Sequence, residues 1–482
     1  MLDFIAIGLG PFNLSLASLL HNKTDLDYLI FEKKEKFDWH AGIQLPNTAL
    51  QVPFMADLVS MVDPTSPFSF LNYLKTQQRL YKFYFLEQLH IPRREYNHYC
   101  QWVADQLSHI QYRSSVTAIH AKPHGFEVLV EQNGQCSRYL CQNLVIGSGN
   151  VPYVPECLQK IQQDYPEKCR HSADYLTTPL SNLTGNVVVL GSGQSAAEVF
   201  MNLFDRQYDD DQRLISQFKL HWLTRANGFF PMEYSALGLE HFSPDYTHHF
   251  YHLDEAQKAA QLQQQALLYK GISAKTIRDI YTKLYQHSIA GAKQQTFLHS
   301  QSNLIHAEVL NQQIRLIFEH KVTTQQFYLD ANVVVAATGY QIPRFDFMHH
   351  LHALIQTDAQ GRWKITEDYR LKHKAAGEIY VQNQEMHSHG VGTPDLGLGA
   401  HRAAKIINQL LGYALYELSD QQQCFQSFKP EQNPYMQLLS TSAQAMLRHG
   451  NSSINPVKPS QPNAEKHLTQ AALPLQKLEK IL

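Results

Sequence analysis

Cysteine is scarce: six residues in 482 (Cys100, Cys136, Cys141, Cys157, Cys169 and Cys424), with no CxxC pair and no His/Cys cluster of zinc-site spacing. This excludes a disulfide scaffold and gives no reason to expect a metal, and a reducing cytoplasm suits the thiols. Net charge is nearly absent as well. Forty-one Lys and Arg face 43 Asp and Glu, a formal −2, so no broad positive field gathers nucleic acid and the expected partner is a small molecule. Nor does any run approach the roughly 18 uninterrupted apolar residues of a membrane helix. The apolar start, Phe4 to Leu20, has no basic stretch before it and is broken by Gly8, Gly10, Pro11 and Asn13, so it reads as strand, turn and helix instead of a signal peptide.

What is present is ample core material, 44% hydrophobic residues in a chain long enough for two or three domains. Three segments repeat one theme, a β-rich run ending in a glycine turn: DFIAIGLG at 3–10, NLVIGSGN at 143–150 and NVVVLGSG at 186–193. ANVVVAATGY at 331–340 closes the set. Unbroken Val/Ile/Leu runs of this kind suit parallel strands buried on both faces. The fold class expected is therefore α/β with two Rossmann-like dinucleotide-binding domains. The first is discontinuous, residues 1–175 and 330–450. The second, 180–328, carries a small aromatic and helical capping segment at about 229–291. Beyond 450 the Ser, Pro and Asn content reads as a flexible linker before a terminal helix.

In Gly8-Leu9-Gly10-Pro11-Phe12-Asn13, the first glycine permits a tight turn and the second lets backbone approach a pyrophosphate at the following helix N-terminus. Asn13 stands where a third glycine is usual. Glu32, ending the next apolar run, is placed to bind ribose hydroxyls. Gly191-Ser192-Gly193-Gln194-Ser195-Ala196-Ala197 is a fuller match, since small residues continue into the helix. Its next strand, KLHWLTR, ends in Arg225 and not in an acid; a guanidinium there pairs bidentately with a ribose 2′-phosphate, which selects NADPH over NADH. Thr338-Gly339 ends the fourth strand and marks a return toward the first nucleotide.

Trp39-His40, the block LPNTALQVPFMADLVSMVDPTSPFSFLNYL, GSGQSAAE, AATGY and LGLGAHRAA together resemble the microbial N-hydroxylating monooxygenases of siderophore biosynthesis, the lysine, ornithine and diamine N-hydroxylases. The resemblance spans most of residues 1–412. It implies a class B flavin enzyme with FAD at the Gly8 turn and NADPH at the Gly191 turn. In that family oxygen adds to reduced flavin, and retained NADP+ shields the hydroperoxide until a primary amine attacks it. The resemblance places Trp39, His40 and Gln51 at the flavin, with Gln51 beside the oxygen chemistry, and Leu396 of LGLGAHRAA among the cofactor contacts. It also implies a homo-oligomer, a tetramer or dimer. His171 to Tyr175 keep the His-to-Tyr spacing of the flavin monooxygenase fingerprint, although Tyr165 and Glu167 replace its Phe and Gly.

One departure speaks to substrate. Amino-acid hydroxylases of this family carry a lysine in FLKDL, whose ammonium holds the substrate carboxylate; here the block is Phe54-Met55-Ala56-Asp57-Leu58. Leu239 likewise takes the place of an asparagine in NExF. The amine expected therefore has no carboxylate: putrescine, cadaverine or histamine. The alternative is that Lys270, beside Gly271 in KGIS, supplies the cation and the substrate is lysine or ornithine. His40, His387 and His389 are base candidates with equal claims as packing residues. Two rivals stand apart: a disulfide reductase using Cys136 and Cys141, and a dinucleotide-binding sensor or scaffold without turnover.

Overall fold

Parallel pairing requires crossovers, and the chain supplies two sets of them. The computed structural model describes residues 1–177, 180–181, 183–209, 213–289, 295–419, 423–433 and 435–440; the linker and terminal helix expected after 450 lie outside the described residues. A seven-stranded sheet runs Ile110–Gln111, Tyr28–Phe31, Leu2–Ile7, Gln135–Ile146, Gly125–Gln132, Ser114–Lys122, with Ile379–Val381 joined to the far end of Gln135–Ile146. Its nucleotide half is parallel, Ile5 opposite Leu29 on one side and Leu144 on the other, while the last three strands form an antiparallel meander.

The strand Leu2–Ile7 shows why an unbroken apolar run was needed. Successive side chains point to opposite faces. Phe4 and Ala6 enter one core with Leu14, Leu16 and the Ala403 and Ile407 face of helix Gly399–Leu411, whereas Ile5 and Ile7 enter another with Val128, Ile146 and Met348. Each such burial stabilises the fold by roughly 1.5–3 kcal/mol.

A second, five-stranded sheet is wholly parallel: Thr296–His299, Gln217–Leu223, Thr184–Leu190, Val333–Ala336, Cys169–His171. Val187 and Val189 pack under Phe200 and Trp222, while Val188 and Leu190 pack against Ile314 and Phe318 of the antiparallel sheet Ser302–Leu310, Gln313–His320, Gln326–Ala331. Two strands expected in the first unit belong here instead. Val333–Ala336 inserts between Thr184–Leu190 and Cys169–His171, where Val335 enters one core and Val334 and Ala336 the other, so both its faces are buried. The chain crosses between the sheets twice, at Val151–Pro152 and Tyr340–Gln341, and these crossings pair antiparallel.

The aromatic segment after Phe229 is helical as expected, with Pro244–Tyr251, Glu255–Gln264 and Ala274–Gln286 each begun by a Ser or Asp whose side chain accepts a backbone N–H. Among the described residues no helix is long and apolar enough to cross a membrane.

Three histidines sit in the fold as neutral rings. Burial pushes His389 down to about 3, and His221 and His40 to about 4. The unfolded chain protonates these rings below the ordinary 6.5, so their contribution is complete above that pH and is lost as pH falls toward the folded values. At pH 5 each weakens the fold by about 2 kcal/mol. The raised carboxyl of Glu385 acts in the opposite direction, so the clean readout is a difference. His389→Gln is expected to flatten the decline of melting temperature between pH 6.5 and 4.5; a decline parallel to that of the unsubstituted protein would rule out this role for His389.

Candidate functional site

Two glycine turns define the candidate site. At the first, Gly8 has φ +85°, and a side chain there would lie 2.8 Å from the Ser148 Cα, so the turn and the neighbouring strand end are pressed together. Gly10 opens onto free space and caps helix Pro11–Leu20 with no side-chain hydrogen bond. At the second, Gly191 has φ +139° with the Ala337 carbonyl 2.1 Å from where a Cβ would sit, and Gly193 begins helix Gln194–Asp205, again with no side-chain cap. Both helix N-termini thus keep their first N–H groups for an anion.

The polar residues of the two motifs divide into those that face the open turn and those that brace it. Asn13 is fully buried, donates to the Ile7 and Gly8 carbonyls at 3.2 and 2.7 Å, and accepts from Gln382 at 2.6 Å. Its amide holds the turn's shape. Glu32 accepts from Leu9 N at 2.7 Å and Lys34 N at 2.9 Å, so its carboxylate already sits at the rim of the first turn. Gln194 donates to Glu198 at 3.0 Å and Thr276 at 3.1 Å and accepts from Ser273 N at 2.8 Å, bracing the second turn against the 270–276 segment. Ser195, in the first turn of that helix, is half-buried. Arg225 is exposed just beyond Gln217–Leu223, whose Leu223 carbonyl accepts Gly191 N at 2.9 Å; the strand carrying the guanidinium is the one beside the turn.

Around the crossings the aromatic residues form one chain of contacts. Trp39 meets His40 at 4.4 Å between centroids, His40 meets Tyr340 at 5.7 Å, and Tyr340 meets His171 at 5.5 Å. His40 has φ +54°, and burial, then Arg93 and Lys34, lower its pKa. His171 accepts from Ala173 N at 3.0 Å through Nδ1, which leaves Nε2–H to donate to the Gly339 carbonyl at 3.0 Å, while Tyr175 donates to Asn202 at 2.7 Å. Tyr175 therefore braces helix Gln194–Asp205, and His171 braces the crossings. Thr338 donates to the Tyr153 carbonyl and does the same work.

Gln51 departs from this pattern of satisfied groups. Its side-chain nitrogen is buried and meets no hydrogen-bond partner among the described residues, while its backbone carbonyl accepts Tyr234 OH at 2.9 Å. A buried amide without a partner costs about 1–3 kcal/mol, so its environment fits a bound acceptor. Ala56 is buried nearby in a turn set by Asp57, whose carboxylate accepts from Val59 N, Ser60 N and Phe70 N at 2.9, 2.6 and 2.7 Å. Leu396 packs on the same core as Trp39 and Phe54.

The expected substrate group comes together only in part. Gly271 lies over the second glycine turn, its carbonyl 3.9 Å from a Cβ on Gly193. Lys270 is exposed and stacks its ammonium 5.0 Å from the Tyr269 ring. Leu239 is 39% exposed at the end of helix Ala236–Leu239. His387 approaches the Trp363 carbonyl at 2.8 Å and His389 stacks on Tyr369 at 4.5 Å, so both have packing roles.

Sequence reasoning passed over Asp395. Its Oδ1 accepts from Gly397 N at 2.7 Å, and burial raises its pKa to about 6 against the pull of that N–H and of Arg402. An acid among the glycines of PDLGLG looks like a cap, and the residues opposite it come from distant sequence. Among the described residues one His/Glu group, His248, His252 and Glu367, brings its ligand atoms within 4.8 Å of one another.

The cysteines settle one rival. Cys136 is exposed and Cys141 buried on the same strand, Gln135–Ile146, where odd spacing puts them on opposite faces roughly 17 Å apart along the strand. They cannot form a redox pair.

Two sheets, each with parallel strands that feed a glycine turn into a helix with no side-chain cap, define a protein with two dinucleotide-binding units. Residues 1–342 match the family described as L-lysine 6-monooxygenase/L-ornithine 5-monooxygenase, and the chain belongs to that family. It is 39% identical over 436 residues to a putrescine N-hydroxylase of Shewanella oneidensis, covering 89% of this chain and 84% of that one. It is 36% identical over 446 residues to a putrescine N-hydroxylase of Acinetobacter baumannii, covering 92% and 97%. Among solved structures it is similar to the cadaverine monooxygenase of the desferrioxamine pathway of Erwinia amylovora, bound to FAD. That TM-score is 0.83, with 34% identity and coverage of 89% and 98%.

The two units are joined by a buried, bidentate ion pair, Arg93 to Glu198 at 2.8 and 3.0 Å. Removing one partner of such a pair costs roughly 3–5 kcal/mol. Arg93→Met is expected to lower the melting temperature more than Arg93→Met combined with Glu198→Leu, checked by thermal unfolding; equal losses would show that the pair carries no coupling.

Proposed function

We propose that this chain is an FAD- and NADPH-dependent N-monooxygenase that hydroxylates a primary amine lacking a carboxylate, an aliphatic diamine of the putrescine or cadaverine kind, within siderophore biosynthesis. The overall reaction is R–NH2 + O2 + NADPH + H+ giving R–NHOH + H2O + NADP+. The observation that carries the substrate class is Ala56. A methyl group is buried where the amino-acid hydroxylases present an ammonium, and a substrate carboxylate left without a partner there loses roughly 3–5 kcal/mol.

The Gly8–Gly10 turn and helix Pro11–Leu20 would hold the FAD pyrophosphate, with Glu32 at the ribose. Trp39 and His40 would border the ring system, and the free Gln51 amide would donate to it. Such an amide hydrogen-bonds without being a strong acid. The Gly191–Gly193 turn with Ser195 would hold the NADPH pyrophosphate, and Arg225 its 2′-phosphate. When bound, the flavin accepts hydride from NADPH and activates O2. The protein's part is to exclude water and keep the reacting nitrogen neutral, since a free alkylamine has a pKa near 10.4 and desolvation favours the uncharged form. This reading assigns residues 1–152 and those from 340 onward to the flavin unit and 153–339 to the nicotinamide unit. A homo-oligomer of two or four copies and a cytoplasmic location accord with the family and with six free cysteines. Lysine or ornithine would need a cation at the pocket, and Lys270 is turned to solvent over Tyr269.

Purified protein with FAD and NADPH is expected to form hydroxylamine faster from putrescine or cadaverine than from ornithine, lysine or histamine; the reverse order would remove the diamine assignment. Arg225→Ala is expected to reduce the preference for NADPH over NADH by about tenfold or more, the scale of one charge-assisted pair. An unchanged ratio of kcat/KM values would detach Arg225 from the cofactor.

A further inference from the structure

A diamine brings two nitrogens with opposite requirements. The reacting one must be neutral, while the distal one stays an ammonium, and an ammonium withdrawn from water needs a partner. The carboxylates near the first glycine turn and the Ala56 turn are mostly occupied by the fold itself. Asp57 accepts from three backbone N–H groups and from Ser60 Oγ at 2.6 Å. Glu32 holds Leu9 N and Lys34 N. Glu385 is buried against Arg402 at 3.0 Å.

Asp395 is placed differently. It is half-buried, in the turn opening helix Gly399–Leu411. The backbone of Gly397 lies between it and Ala56: a Cβ on that glycine would stand 2.8 Å from Asp395 Oδ1 and 3.9 Å from the Ala56 methyl. Asp395 is also close enough to Tyr234 and Tyr96 to raise both phenols electrostatically. Tyr234 donates to the Gln51 backbone carbonyl at 2.9 Å, and Tyr96 packs on Trp39 with centroids 5.3 Å apart. One carboxylate thus stands near the two phenols that meet Gln51 and Trp39, and across Gly397 from the small residue at 56.

We propose that Asp395 is the subsite for the distal, unreacting ammonium of an aliphatic diamine, and that it excludes amino-acid substrates by facing their carboxylate with a like charge. The proposal rests on the diamine reading above. The loss of a cation at position 56 and the presence of an anion across Gly397 then become one change of charge. A substrate carboxylate meets a like charge, offset only in part by Arg402, where a substrate ammonium meets a partner, and specificity gains from the repulsion as well as the attraction. Burial of the acid, which raises it to about 6, is the expected state of a carboxylate whose counter-ion arrives with the substrate.

The bland role is an N-cap, since Oδ1 accepts Gly397 N. Asparagine caps a turn as well as aspartate does, so Asp395→Asn keeps the cap and removes only the charge. The experiment compares putrescine and cadaverine with butylamine and pentylamine, and records flavin content and melting temperature alongside. In the unsubstituted protein the diamines are expected to have the higher kcat/KM. In Asp395→Asn the diamine KM is expected to rise about 100-fold, with the monoamine values unchanged and the diamine preference gone. Retention of that preference by a variant of normal flavin content overturns the proposal. Should Asp395→Asn fail to fold, Ala56→Lys places a competing cation beside Asp395 and is expected to abolish the preference, whereas its retention again overturns the subsite. If the unsubstituted protein prefers ornithine or lysine, the diamine reading itself falls; if it prefers diamines and the variants do too, only Asp395 does.

Discussion

The Arg93–Glu198 pair is the constraint on which the rest depends. Both side chains are almost wholly buried, and the guanidinium also donates to the Ile43 carbonyl at 2.9 Å. Glu198 passes the constraint on by accepting from Gln194, which holds Ser273 N and Thr276 Oγ1. A continuous run of directional bonds therefore leads from the loop beside His40, through the second glycine turn, to the start of helix Ala274–Gln286. Hydrophobic contact holds the two units against each other, with Leu45 in the core of the second sheet, but apolar surfaces slide. Charged hydrogen bonds with fixed forks do not, and a site that passes hydride between two cofactors depends on that angle.

Much of this was legible in the sequence because the two sheets are buried on both faces. Runs such as DFIAIGLG and NVVVLGSG suit a doubly covered strand, and glycines at their ends suit a tight turn. Which sheet a strand joins was not legible. Val333–Ala336 reads the same in either, and only the slot beside Thr184–Leu190 decides it. The bracing role of the motif polar residues was hidden for a related reason. Asn13 and Gln194 stand at cofactor positions, yet their amides are consumed by Gly8, Gln382, Ser273 and Thr276, partners that only the fold supplies. Asp395 stayed hidden because its sequence neighbours are glycines and leucines, whereas Ala56, Tyr234 and Tyr96 reach it from three other parts of the chain.

The distribution of satisfied and unsatisfied polar groups separates scaffold from chemistry. His171, Tyr175, Thr338, Asp57 and His387 each spend their hydrogen-bonding capacity inside the protein. Gln51 keeps a buried donor free, and the two helix N-termini keep theirs. These free donors all favour anions or acceptor atoms, which is the chemistry of pyrophosphates and of a flavin edge. Of the carboxylates nearby, Asp57, Glu385 and Glu198 are engaged by backbone N–H groups or by arginine, whereas Glu32 sits at the rim of the first turn and Asp395 across Gly397 from Ala56.

The antiparallel pairing of Val151–Pro152 with Tyr340–Gln341 has a consequence for how the molecule can be built and taken apart. Exit and re-entry share one seam, so the whole excursion behaves as a cassette spliced into a loop. Swapping that cassette for one with a different hydride donor preference would leave every strand pairing of the first sheet untouched. A single cut in either crossing would leave the other as a tether, and the nicked chain would remain in register.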